Sequence, residues 1–153
     1  MPLTQQNRLL NLTTPLGADV LLLTSFSGHE EISRLFHYQL EMVSENNAIT
    51  AAQIVGKNVT FSVEMPEGQP RRYFNGHVSR FVAGNEDQEG RRSYRAEVVP
   101  WLWFLTCTAD CRIFQEKTIP QIIEQIFQDL GFTDFRLDIK LPHKTWEYCV
   151  QYR

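Results

Sequence analysis

Apolar and polar positions alternate through most of the chain before residue 110. Phe36, Tyr38, Leu40 and Met42 alternate with His37, Gln39 and Glu41. Val59, Phe61, Val63 and Met65 alternate with Thr60, Ser62 and Glu64, and Tyr94, Ala96 and Val98 with Arg95 and Glu97. Successive side chains on a strand point to opposite faces, so each run predicts a strand with one face buried and one wet, the antiparallel pattern. Turn residues separate the runs: Pro15-Leu16-Gly17, the stretch from Pro66 to Pro70, and the acidic stretch from Gly84 to Gly90. Proline presets φ and glycine supplies positive φ, so these segments turn for a physical reason. Between Val78 and Phe81 the alternation changes phase, which predicts a β-bulge that returns both side chains to one face.

The period changes after residue 110. Ile119, Ile122, Ile123, Ile126, Phe127 and Leu130 follow the spacing of one helical face. Thr118 and Gln121 form a capping box and Gly131 stops the helix, so 119–130 is predicted helical. A shorter helix is predicted over Thr50–Val55, with Thr50 as N-cap and Gly56 as the stop. Strands are predicted near Phe135–Ile139 and Tyr148–Tyr152. The fold class read from this is β-rich α+β. Residues 1–110 form an antiparallel barrel of about six strands. Residues 111–153 begin a second unit of one helix and two short strands. Six apolar residues on that helix need a lid that the two strands can barely supply, so association through the stripe is expected.

Composition narrows the function classes. The chain has 153 residues, 42% hydrophobic and 22% charged, with ten Phe, five Tyr and three Trp; that is globular composition. Its net charge of −3 argues against nucleic acid as a partner, since phosphate binding needs concentrated positive charge. Met1–Leu12 has no apolar run long enough for a secretory signal, and Val20–Leu23 is far too short to span a bilayer, so cytoplasmic folding without membrane insertion is expected. Cys107, Cys111 and Cys149 are odd in number and make a poor disulfide framework.

A search for reactive constellations finds no catalytic, cofactor-binding or metal-ligating set. His29-Glu30 starts like a zinc-protease motif, but Ser33 stands where the second histidine belongs, so a polar loop is expected there. Cys107 and Cys111 lack the second cysteine pair or histidine pair of a zinc site, and reduced, buried thiols are expected. His37 falls on the polar face of its strand, and His77 and His143 are isolated. Neither a nucleophile elbow nor a phosphate-cradling loop occurs. Arg71-Arg72 and Arg91-Arg92 flank hairpins as solvated strand ends or a protein interface. Pro100-Trp101-Leu102-Trp103-Phe104-Leu105 concentrates aromatics for core packing or a subunit interface. The chain is therefore not expected to be an enzyme.

Four stretches in register carry a resemblance. Ser25-Phe26-Ser27-Gly28-His29-Glu30-Glu31-Ile32-Ser33-Arg34-Leu35-Phe36 resembles the early signature of the type VI secretion spike proteins, the VgrG family. Ile54-Val55-Gly56-Lys57-Asn58-Val59-Thr60 resembles the short helix and strand that follow there. Pro100–Thr106 with Asp110–Gln115 is similar to the family's most recognisable segment, and Glu147–Arg153 to the next. The resemblance runs from about Leu16 to the last residue.

It implies the hub of a contractile injection machine: tube-like β-barrels, two from each of three subunits, in a ring that docks on the Hcp tube hexamer. The expected partners are the other subunits of a homotrimer, the Hcp tube, baseplate components and secreted effectors. Expected localisation is the cytoplasm during assembly, then export through the type VI machine. The family pattern runs on past Arg153, so a truncated second barrel is expected here. A tailed-phage or phage-like baseplate hub shares the barrel and is the alternative; a small-ligand-binding barrel is a more distant one.

Overall fold

The structure is a computed structural model that describes residues 3–66 and 68–152. Glu67, in the turn expected between Pro66 and Pro70, and Arg153, at the end of the last motif, lie outside the described residues. The chain forms two compact units, Met1–Leu105 and Thr106–Arg153.

The first unit contains β1 (Leu10–Thr13), β2 (Leu22–His29), β3 (His37–Ser44), α1 (Ala51–Ile54), β4 (Asn58–Val63), β5 (Arg72–Glu86) and β6 (Arg92–Val99). The strands make one antiparallel sheet in the order β1-β4-β5-β6-β3-β2. Its two outer strands, β1 and β2, touch each other without a described ladder between them, so the sheet curls into a nearly closed barrel.

The alternation explains what fills it. Tyr38, Leu40 and Met42 of β3 lie opposite Val98, Ala96 and Tyr94 of β6, and all six are buried. Val59 and Phe61 of β4 join them, with Leu23 of β2 and Leu21 just before it. Burying each large apolar side chain stabilises the barrel by about 1.5–3 kcal/mol relative to leaving it exposed. The register of β5 on β6 slips between Val78 and Arg80. Val78 and Phe81 are then both inside, 1% and 8% exposed, as a bulge requires. Polar atoms near the core are satisfied locally: Tyr94 Oη donates to Asn46 O at 2.8 Å, and Ser44 Oγ donates to Val20 O. The short helix α1 is tied to β5 by Gly56 N donating to Val78 O at 2.8 Å and Val78 N to Lys57 O at 3.0 Å.

A 3-10 helix, Trp101–Cys107, follows β6 and spans the junction between the units. The second unit comprises β7 (Arg112–Lys117), α2 (Ile119–Asp129) and β8 (Trp146–Gln151), with β7 and β8 paired antiparallel. Thr118 caps α2: Thr118 N donates to Gln121 Oε1 at 2.8 Å, and Gln121 N donates back to Thr118 Oγ1 at 3.5 Å. Gly131 has φ of 81°, the left-handed turn that ends helices, and Phe132 N donates to Phe127 O at 2.9 Å.

Two expectations fail in this unit. Residues 135–139 are not a strand. Phe135, Leu137 and Ile139 alternate, but a strand needs a ladder partner; β7 pairs with β8 instead, and Phe135 packs edge-on against Phe127 at 5.0 Å. The thiols of Cys107 and Cys111 are unbridged but exposed, not buried, because they flank the end of the 3-10 helix and the start of β7.

Candidate interaction surfaces

The residues considered for reactive chemistry are scattered. His29 ends β2 rather than lying in a loop, and its Nε2 is 2.5 Å from Glu31 Oε1. His37 Nε2 faces Glu97 at 3.5 Å across the β3–β6 ladder, and the ring of His77 meets Phe104 edge-on at 5.6 Å. Among the described residues, no group of three or more His, Cys, Asp or Glu is placed to hold a metal ion. Among them, too, no helix is long and apolar enough to cross a membrane.

The basic pairs are engaged locally. Arg71 Nη2 donates to Glu64 Oε2 at 2.6 Å and to Arg8 O at 3.1 Å, and its Nη1 donates to Ser62 Oγ at 3.3 Å. One guanidinium thereby joins the start of β1, the end of β4 and the start of β5. Arg91 pairs with Asp87 at 2.8 Å and Glu89 at 2.5 Å, and Arg92 Nη1 donates to Asn47 O at 2.8 Å. The backbone N–H of Arg91, with those of its neighbours in the turn, holds the Asp87 carboxyl below the usual aspartate range. The Glu41 carboxyl is likewise lowered, by the hydroxyl of Ser25 and then by Arg95.

One end of the barrel is aromatic. Phe61 stacks on Phe74 with centroids 5.0 Å apart, and Phe26 meets both, at 5.0 and 5.3 Å. Arg72 lies over Phe74 at 4.8 Å and 3.9 Å from Glu30. Tyr38 closes the cluster, its hydroxyl donating to Glu30. Burial, and then that carboxylate, push the phenol well above the usual tyrosine range. Phe26, Tyr38, Phe74, Arg72 and Glu30, with Gly28, Val63 and Met65, line an open pocket of about 410 Å³. The pocket was not read from the sequence; the signal that could have found it is Gly28, since a glycine within a strand often marks the close approach of another group.

Beside the pocket, the β2–β3 connection turns at Glu31–Arg34, with Arg34 N donating to Glu31 O at 3.4 Å and Ser33 at φ of 63°. Glu31 binds His29 on one side and Arg34 Nε, at 3.0 Å, on the other. Ile32, at the tip, is 98% exposed.

The second unit has its own apolar surface. Ile113 lies opposite Val150 on the β7–β8 ladder, and Tyr148 and Trp146 follow on the same face; all four are exposed. The other face carries Phe114, which is buried, as is Ile122 of α2. Ile119, Ile123 and Leu130 of the helix remain exposed. The aromatic run from Trp101 is partly buried in its 3-10 helix, with Leu102 exposed.

The family profile described as "Phage tail baseplate hub (GPD)" matches residues 29–153. The chain is 48% identical over 151 residues to the type VI secretion system spike protein VgrG1a of Pseudomonas aeruginosa, covering 97% of this chain and 23% of that protein. It is 45% identical over 153 residues to VgrG1c of the same organism, covering 21% of it. The chain thus spans between a fifth and a quarter of the length of these relatives. Among solved structures, the E. coli c3393 protein superposes with a TM-score of 0.76 at 21% identity, over 93% of this chain and 39% of that one. That protein is described as a component of the type VI secretion system with structural similarity to the T4 bacteriophage tail proteins gp27 and gp5.

Proposed function

Since the chain belongs to the phage tail baseplate hub (GPD) family and is homologous to the VgrG spike proteins, we propose that it is the hub portion of a type VI secretion spike. In this reading it is a structural part rather than an enzyme. The spike assembles as a homotrimer, docks on the Hcp tube and is exported with its effectors. The observation that carries the reading is 48% identity over nearly the whole chain to a spike protein.

The physics of the fold supports it. A hub must pass a thrust from tube to spike without changing conformation. An antiparallel barrel, with its backbone groups tied into ladders and its interior filled by aromatics, is stiff. The exposed apolar faces of the second unit suit a protein that works buried among neighbours, since exposed apolar patches mark association surfaces.

The test uses a full-length spike that contains this chain. Native mass spectrometry is expected to find trimers, and electron microscopy of mixtures with Hcp to find the spike at tube ends. A monomeric spike that leaves tube ends bare overturns the proposal.

A further inference from the structure

We propose that Asn75-Gly76 is a latent deamidation site, kept intact by the folded barrel and reactive once β4 and β5 come apart. It is the chain's one Asn-Gly dipeptide, a pair that ordinarily marks a tight turn. Here it lies inside β5, with Asn75 opposite Thr60 and Gly76 opposite Val59 of β4. The two residues are there for separate reasons. Gly76 is buried, and a Cβ on it would stand 2.7 Å from Val98 Cγ1 and 2.8 Å from Val99 O, so no side chain fits. Asn75 is exposed and stitches β5 to β4. Its Nδ2 donates to Asn58 Oδ1 at 2.8 Å, Thr60 Oγ1 at 2.8 Å and Val59 O at 3.1 Å, and its Oδ1 accepts from Asn58 Nδ2 at 3.1 Å. The barrel uses both residues, and in this order they form the pair most prone to lose the side-chain amide, because glycine has no Cβ to shield the attacking nitrogen.

The chemistry consumes only water. The Gly76 nitrogen attacks Cγ of Asn75, the Cγ–Nδ2 bond breaks, and the side-chain nitrogen leaves as ammonia with the proton of the Gly76 N–H. Water then opens the resulting succinimide at either carbonyl, giving aspartate or isoaspartate. Ring closure requires the Asn75 side chain to turn back onto the backbone nitrogen that follows it. In the folded chain its four hydrogen bonds hold it toward β4, and the extended backbone of β5 opposes the turn. Local opening of the β4–β5 ladder removes both restraints. The change runs one way. A carboxylate at position 75 has no hydrogen to donate to Val59 O and would face its lone pairs instead. Isoaspartate, in addition, lengthens the backbone of β5 by one carbon. A chain that has stayed open long enough to react therefore cannot rebuild this part of the barrel.

Peptide mapping of the whole chain, incubated in mildly alkaline buffer with and without urea, tests this. The segment Tyr73–Arg80 is followed for conversion of Asn75. In urea, isoaspartate and aspartate should both accumulate there, faster than at the other asparagines. Without urea the conversion should be about tenfold slower or more, because only the open fraction reacts. Asn58→Ala removes the partner amide and should speed the folded-state reaction, with circular dichroism confirming that the barrel is present. Sub-denaturing urea gives the same reading without a substitution: conversion should rise in step with hydrogen exchange at the amides of β4 and β5. Asn75→Asp should lower the urea midpoint relative to the parent. Conversion as fast in the folded chain as in urea overturns the proposal. So do aspartate formed without isoaspartate, an Asn58→Ala barrel that reacts no faster, and an Asn75→Asp chain as stable as the parent.

Discussion

Gly28 and Tyr38 are paired across the β2–β3 ladder, and the tyrosine ring lies so close over the glycine that a Cβ at position 28 would sit 2.2 Å from Tyr38 Cδ1. Gly28→Ala must therefore move the ring, which also packs on Phe61 and Phe74 and reaches Glu30. The expected cost is about 1–3 kcal/mol, the usual range for overpacking a filled core. Chemical denaturation should show the loss, and near-ultraviolet circular dichroism should show the displaced tyrosine.

Arg71→Ala removes three hydrogen bonds from a side chain that is 21% exposed. Hydrogen bonds to charged groups contribute about 1.5–3 kcal/mol each at best, and they are not additive. Destabilisation of about 2 kcal/mol is expected, with faster amide exchange in β1. Arg71→Lys should recover little of it, because one ammonium cannot span Arg8, Ser62 and Glu64 as a planar fork does.

Acid should fray the β5–β6 turn only at low pH. The Asp87 carboxyl is held below its ordinary value of 3.8 by the Arg91 backbone N–H. A depressed carboxylate contributes stability that is present above its unfolded pKa and lost as pH falls through the folded one. The turn should stay ordered above about pH 4 and open on further acidification, followed by the amide shifts of Glu89 and Arg91 in an NMR titration. Asp87→Asn should abolish that acid step.

Thr118→Ala should destabilise the second unit by about 1 kcal/mol, because Gln121 N loses its capping acceptor. The readout is amide exchange confined to Ile119–Asp129.

Trp146→Ser with Tyr148→Ser should lower light scattering without lowering the melting temperature. Both side chains stand on the exposed face of the β7–β8 ladder, so the folded unit loses little when they go. Undiminished scattering would place self-association elsewhere.

The barrel was legible where burial is one-sided. In β3, β4 and β6 each second residue is inside, so period two is written into the residues, and the Val78–Phe81 phase change marked the bulge. The α2 helix was legible for the same reason at its own period, with Thr118 and Gly131 fixing its ends. What failed depended on distant partners. β7 puts Ile113 and Phe114 side by side, which breaks alternation, and it exists because β8 supplies its ladder. Phe135–Ile139 had the alternation and lacked the partner. At the barrel end, the strand that carries Gly28 and His29 was not read from the sequence, and the positive φ of Ser33 left no mark, since serine is not a residue that announces it. The two residues of His29-Glu30 serve different neighbours: His29 pairs with Glu31 in the turn, while Glu30 meets Tyr38 and Arg72 at the pocket.

The meeting of β1 and β2 has a mechanical consequence. Elsewhere round the barrel, changing the girth means breaking ladder hydrogen bonds. At this seam no ladder is described, so among the described residues the two strands can slide or part without breaking one. Strain from squeezing the cylinder therefore collects along one line, much as a split washer yields at its cut. The filled interior can keep its packing while the circumference changes by small amounts at that seam.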